Sequence, residues 1–134
     1  MFEGEMFERI KELSKPLGSH IVKEPWHLSP DAIIEKDGRK IGIEFKHEIA
    51  SSGISEGIGQ LLFGKVVFEL EELWLVFGSA YRLLPISWFR TLEHVGIIPY
   101  ILDETGLRRL QEKDCAQQDK EYWLKYHMDN SVKL

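Results

Sequence analysis

The fold is decided by the stretch PDAIIEKDGRKIGIEFK, which spans residues 30–46. It contains two strand-like runs separated by Asp37-Gly38, the residue pair that a two-residue type I′ turn favours. With these two residues as the turn, Lys36 faces Arg39 across the two strands. The stretch therefore predicts a β-hairpin with a fixed register.

This register gives the hairpin two different faces. Asp31 faces Glu44, and strand alternation places Lys46 on the same side as Glu44. The opposite side carries the apolar residues Ala32, Ile34, Ile41, Ile43 and Phe45. We therefore expect one side of the hairpin to face the core and the other to form a polar site.

The rest of the chain predicts alternating helices and strands. In chain order we predict a helix over residues 2–17, a strand over 18–23, the hairpin, a helix over 55–68, a buried strand over 73–77, a helix from Pro85 to Gly96 and a strand over 97–102. Residues 51–53 are expected to form a loop, and Val66 to lie on the apolar side of its helix. Because Pro99 removes a ladder donor, the last strand is expected at a sheet edge. This order predicts an α/β fold with a mixed sheet flanked by helices, and the tail receives no assignment.

Composition bounds the class of protein. A chain of 134 residues with 43% apolar residues predicts a single domain over 1–134. One cysteine, Cys115, excludes a disulfide framework or a four-cysteine zinc site within one chain and predicts a cytoplasmic protein. The acidic start predicts no targeting segment, and the lack of a run of about 18 apolar residues predicts no membrane span. The net charge of −5 disfavours wrapping of nucleic acid by bulk electrostatics, so any phosphate partner must be held locally.

The polar side of the hairpin has two interpretations. Two like charges facing each other across strands are destabilising without a compensating group. Converging carboxylates suit Mg²⁺, and a lysine beside it positions or deprotonates an attacking water. Alternatively, Asp31, Glu44 and Lys46 form an ordinary charged strand face that pairs with itself and with solvent.

A family resemblance bears on this choice. Pro30-Asp31 and Glu44-Phe45-Lys46, with the two carboxylates thirteen positions apart, resemble the PD-(D/E)xK signature of the restriction-endonuclease-like superfamily. The resemblance covers roughly the first 80 residues and implies an α-β-β-β-α-β core. It implies that Asp31 and Glu44 bind Mg²⁺ or Mn²⁺, that the Phe45 carbonyl completes the metal shell, and that Lys46 assists the attacking water.

The same resemblance points to three further residues. Many members add a glutamate from the first helix; here Glu3 is favoured, although it is equally compatible with an N-terminal residue attracted by the helix dipole. Gln60 lies in a stretch similar to a glutamine motif of several nuclease subfamilies, which often have tyrosine where Gly64 stands; Gln60 is otherwise a solvated helix residue. Lys65 either extends along the helix surface into solvent or reaches a nucleic-acid phosphate.

The predicted function is a metal-dependent endonuclease that hydrolyses DNA phosphodiester bonds in repair, recombination or restriction. Its catalytic residues are Asp31, Glu44, Lys46, Glu3 and Gln60, and RNA remains an alternative substrate. The other hypothesis is a non-catalytic nucleic-acid-binding or assembly module with the same fold. A homodimer or a subunit of a larger nuclease complex is expected, with the aromatic segment 120–134 as the candidate interface or, alternatively, as a base-stacking surface.

Overall fold

The computed structural model describes residues 2–14, 20–23, 30–79 and 82–117. The proposed interface at 120–134 lies outside these residues. The elements are α1 (Glu3–Ser14), β1 (His20–Lys23), β2 (Ala32–Lys36), β3 (Arg39–Lys46), α2 (Ser51–Val67), β4 (Glu72–Phe77), α3 (Ile86–His94), β5 (Ile97–Asp103) and β6 (Gly106–Arg109), followed by a short 3-10 turn at Glu112–Asp114. In this part of the chain no helix has the length and apolar character needed to span a membrane.

The strands form one mixed sheet, which confirms the predicted α/β class. The six strands lie side by side in chain order. Strands β1, β2 and β3 form an antiparallel meander, β3, β4 and β5 are parallel, and β6 returns antiparallel to β5. The buried strand β4 lies between β3 and β5, near the centre of the sheet, as the apolar run 73–77 predicts.

The hairpin register is confirmed. Lys36 pairs with Arg39, and the ladder continues in step to Ala32 opposite Ile43. Asp37 and Gly38 have φ values of 51° and 79°, the positive values that both central residues of a type I′ turn require. The local chemistry of this turn therefore sets which side chains face each other at the other end of the hairpin.

Helices cover both faces of the sheet. On one face α1 buries Met6 and Ile10 against Ile43 and Phe45. On the other face α2 and α3 bury a larger cluster that includes Ile54, Leu61, Leu75, Leu92 and Ile101. Because side chains alternate along β3, Glu44 and Lys46 lie on the α2 side. The crossover helix α2 is therefore the element that covers the polar residues of the hairpin.

Helix α2 begins earlier than predicted. It starts at Ser51 and not at Ser55, so residues 51–53 form its first turn and the predicted loop is wrong. The Ile54 N–H donates to the Ala50 carbonyl at 3.0 Å, and Trp88 Nε1 of α3 donates to Ser51 Oγ at 3.3 Å, so α3 helps to fix this end of the helix. The prediction for Val66 is also wrong, because Val66 lies five residues after the buried Leu61, about 140° around the helix from it. Val66, expected on the apolar side, is 80% exposed.

Strand β5 is an interior strand, so the prediction of an edge at Pro99 is wrong. The unpredicted strand β6 pairs with it from Tyr100 to Asp103. The Pro99 carbonyl accepts a hydrogen bond from the Leu110 N–H at 2.9 Å. Since the N–H and C=O of a strand residue point to the same side, the donor that proline lacks also faces the β6 side, and the ladder to β4 is left intact.

Candidate active site

Asp31 and Glu44 meet where β2 begins. The backbone N–H of Asp31 donates to Glu44 Oε1 at 3.1 Å, and the backbone N–H of Phe45 donates to Asp31 Oδ2 at 2.8 Å. The carboxylate oxygens thus accept hydrogen bonds from backbone N–H groups, as backbone carbonyls do elsewhere in the β2–β3 ladder. The structure therefore brings together the two acidic residues that the sequence places opposite each other.

Glu44 is a buried acid. Only 2% of its side chain is exposed. Burial in the first place, and then the negative charge of Asp31, raise its pKa to about 8, although the positive charge of Lys46 opposes this rise. In the absence of a further cation, Glu44 therefore keeps a proton at neutral pH, because a second negative charge beside Asp31 is unfavourable.

Lys46 lies between two carboxylates. Its Nζ atom is 3.4 Å from Glu44 Oε2 and 3.2 Å from Glu56 Oε1, and 12% of its side chain is exposed. Burial alone would lower the pKa of Lys46, but the charges of Glu44 and Glu56 outweigh it and raise the pKa above its ordinary value. Lys46 is consequently a cation at neutral pH.

Close approach of α2 to β3 shapes the site, and two glycines permit it. A Cβ atom at residue 57 would lie 2.8 Å from Leu75 Cδ1 and 3.5 Å from Glu44 Cγ. A Cβ atom at residue 53 would lie 3.4 Å from Lys46 Cδ. Hydrogen at these two positions leaves the space through which the Glu44 and Lys46 side chains run beneath the helix.

Glu56 is the site residue that the sequence analysis missed. It lies ten residues after Lys46 and contacts the lysine from the first half of α2, with 64% of its side chain exposed. If the helix starts at Ser55, Glu56 lies in its first turn and Gly53 lies outside it. The two residues are then not recognised as neighbours on one helical side. The detectable signal is the shared helical side of Gly53, Glu56, Gly57 and Gln60, spaced by three or four residues.

The remaining predicted residues, Glu3, Gln60 and Lys65, differ in burial and in their distance from the carboxylate pair. Partial desolvation, followed by the charge of Asp31, raises the pKa of Glu3, so Glu3 lies within electrostatic reach of the carboxylate pair. Gln60 lies about one turn beyond Gly57, and its Oε1 atom is shielded from solvent, so Gln60 is not simply a solvated residue. Lys65 is exposed about two turns, or ~12 Å, beyond Gly57 along the helix.

The donor set fits a hard divalent cation. Mg²⁺ in proteins is commonly held by one or two carboxylates and keeps several waters. Asp31 and Glu44 supply two adjacent carboxyl groups, and a bound cation would favour the form of Glu44 without its proton. The Phe45 N–H faces Asp31, so its carbonyl faces the same side and completes the oxygen set. Within the described ranges no group of three or more His, Cys, Asp or Glu residues is placed so that together they could hold a metal ion.

Comparisons of the chain with models of known protein families and with curated proteins found no match. The resemblance to the PD-(D/E)xK nucleases therefore depends on the residues and geometry of this site alone.

Proposed function

We propose that this protein is a metal-dependent endonuclease that hydrolyses DNA phosphodiester bonds, with a core of the restriction-endonuclease-like type. The observation that carries the proposal is the contact between Asp31 and Glu44, with the Lys46 ammonium 3.4 Å from Glu44 Oε2. Two adjacent carboxyl groups, of which Glu44 is buried, are costly to ionise together unless cations compensate their charge. Such a costly arrangement is typical of a functional site.

Asp31, Glu44 and the Phe45 carbonyl would hold Mg²⁺, for which Mn²⁺ can substitute. When bound, such an ion acts as a Lewis acid toward a phosphoryl oxygen and stabilises the negative charge that develops there. The hydrogen bonds between the hairpin backbone and the two carboxylates fix both groups before any substrate arrives. This pre-organisation lowers the entropic cost of assembling the site.

Lys46 acts as a positioned cation. Its raised pKa means that it donates hydrogen bonds and does not remove protons in the arrangement described. A protonated lysine beside the carboxylate pair orients the attacking water or a nonbridging phosphate oxygen and stabilises negative charge in the transition state. Glu56 holds the ammonium from the side of α2, and Glu3 and Gln60 are candidates for outer contacts of the same site.

Cleavage assays with matched variants test this proposal. Purified protein is incubated with supercoiled plasmid, branched DNA oligonucleotides and RNA of the same sequence, in Mg²⁺ or Mn²⁺ and in chelator. We expect metal-dependent DNA cleavage that falls roughly 100-fold or more in Asp31→Asn and Lys46→Met. Glu35→Gln is the matched control, because Glu35 is an exposed acid on the same strand as Ala32, outside the site.

Two results would reject the proposal. One is the absence of metal-dependent cleavage of every substrate, and the other is equal cleavage by Asp31→Asn and the wild type, which indicates a contaminant. Nucleic-acid binding without any cleavage would instead favour the non-catalytic module, in which Lys46 simply neutralises Glu44 and Glu56.

A further inference from the structure

A second polar feature lies on the same side of the sheet as the candidate active site. It is a cavity of about 280 Å³ whose wall includes Ile49, Leu84 and Ile101. Three cationic residues also line it, namely Arg82, Arg108 and Lys113. They come from the segment between β4 and α3, from β6 and from the 3-10 turn, so three separate parts of the chain converge here.

The cations of this cavity form no close ion pairs with described acids, although Arg108 interacts electrostatically with Asp103. Within the described ranges none of the three forms an ion pair at 4.0 Å or less, whereas Arg9, Arg39, Lys46 and Arg90 do. The one carboxylate in the wall, Asp114, accepts a hydrogen bond from the Gln111 backbone N–H at 2.9 Å. In a chain with a net charge of −5, this cavity is a local positive region.

The cavity is built from fixed backbone. The Ala116 N–H donates to the Leu84 carbonyl at 2.9 Å, and the Ile86 N–H donates to the Ala116 carbonyl at 2.8 Å. These bonds fasten the segment that carries Arg82 to the segment that carries Lys113. Ile101 pairs with Arg108, which places this arginine on the face of the sheet that α3 covers.

The cavity and the candidate active site share one edge of the sheet. Ile49 in the cavity wall follows Lys46 by three residues, so their Cα atoms are at most about 11 Å apart. The Gly78 N–H donates to the Lys46 carbonyl at 2.8 Å and joins the carboxyl ends of β3 and β4 at this edge.

We propose that Arg82, Arg108 and Lys113 form a binding subsite for a backbone phosphate of the DNA whose scissile phosphate lies at Asp31, Glu44 and Lys46. This inference rests on the proposed function and adds to it the local phosphate contact that an acidic protein needs. The cavity, at about 280 Å³, is smaller than the ~300–1,000 Å³ typical of pockets that enclose a whole small molecule. It fits a phosphate with part of its sugar better than a complete nucleotide.

Binding of a fluorescein-labelled DNA duplex to the full chain tests the subsite. Fluorescence anisotropy is recorded in chelator over a series of salt concentrations for Arg82→Gln, Arg108→Gln, Lys113→Gln and the triple variant. Arg109→Gln is the matched control, since Arg109 is an exposed neighbour on β6 that lines a different pocket. Far-UV circular dichroism and thermal unfolding establish that each variant folds.

We expect each cavity variant to weaken duplex binding several-fold. The triple variant, which loses the contact with the one phosphate, should reduce the slope of log K against log salt by about 0.9, and each single variant by less. Slopes and affinities of the cavity variants equal to those of Arg109→Gln would overturn the subsite.

Two further arms separate the alternatives. Titration with inorganic phosphate and with adenosine monophosphate distinguishes a free phosphate ligand from the DNA backbone. Saturation by either one at affinities equal to that of the duplex overturns the assignment to DNA.

Cleavage by Asp31→Asn distinguishes the two proposals. Loss of duplex binding in the cavity variants of a protein that never cleaves DNA supports the subsite and rejects the nuclease, whereas Asp31-dependent cleavage with unchanged KM in the cavity variants rejects the subsite alone.

Discussion

Asp31 and Glu44 are fixed reciprocally, each by the backbone of the strand that carries the other. The Asp31 N–H binds Glu44 Oε1 at 3.1 Å, and the Phe45 N–H binds Asp31 Oδ2 at 2.8 Å. The hydrogen bonds orient both carboxylates but do not neutralise them. The pair is therefore geometrically ordered and electrostatically unfavourable at the same time, and this combination makes measurable predictions.

The first prediction concerns pH and stability. The pKa of Glu44 is raised to about 8 from an ordinary value of 4.5, so the folded protein holds a proton that the unfolded chain has released. The free energy of unfolding should therefore fall as pH rises from about 4.5 to about 8. In chelator, Tm should fall more between about pH 5 and about pH 8.5 in the wild type than in Glu44→Gln. Parallel Tm profiles for the two proteins would contradict the buried, raised pKa.

The second prediction concerns metal binding. A cation held by Asp31 and Glu44 binds the folded state only, so Mn²⁺ at 100 times its Kd should stabilise the protein by about 2.7 kcal/mol. Because binding requires Glu44 without its proton, affinity should rise roughly tenfold per pH unit up to about pH 8 and then level off. Calorimetry measures both effects. Uptake that is unchanged in Asp31→Asn would place the ion elsewhere.

The third prediction concerns the close contact of α2 with the sheet. In Gly57→Ala the new Cβ would lie 2.8 Å from Cδ1 of the fully buried Leu75, so either this side chain or the helix must shift. Gly59→Ala is the matched control, since nothing lies within 4 Å of its Cβ position and alanine favours helices by about 1 kcal/mol. Urea denaturation should find Gly57→Ala less stable than Gly59→Ala by at least about 1 kcal/mol. Equal stabilities would indicate that the helix accommodates the extra methyl group.

The fourth prediction concerns Glu56 and Lys46. Glu56 is 64% exposed, so Glu56→Gln should change the free energy of unfolding by less than about 1 kcal/mol. The same change removes a charge and a hydrogen bond that raise the pKa of Lys46, so the alkaline limb of the cleavage rate should move to lower pH. Glu48→Gln, at an exposed acid paired with His47, should leave that limb in place. A pH profile unaffected by Glu56→Gln would remove Glu56 from the site.

Local chemistry explains what the sequence predicts correctly. Asp37-Gly38 selects a two-residue turn, and that turn alone fixes the register that brings Asp31 to Glu44. The buried strand β4 follows from its continuous apolar run, and α3 from Pro85 and the positive φ of Gly96.

Features that depend on distant contacts are the ones the sequence does not predict. Strand β6 is short and contains Arg108 and Arg109, so its strand conformation comes from pairing with β5 and not from its own composition. The start of α2 at Ser51 depends partly on Trp88, which is far away in sequence. This error also hid the role of Glu56. With residues 51–53 assigned to a loop, Gly53 and Glu56 are not recognised as neighbours on one side of a helix.

The two-residue turn makes the site sensitive to length in a way that substitution does not reveal. Side chains of β3 alternate between the α1 face and the α2 face, and the pairing with β2 is fixed from the turn outward. Inserting or deleting one residue between 39 and 43 would send Glu44 and Lys46 toward α1 and turn Ile43 and Phe45 toward α2. Odd-numbered residues of this strand therefore face the α1 core and even-numbered residues face the site. A substitution changes one side chain, whereas a strand that is one residue longer or shorter exchanges the two sets.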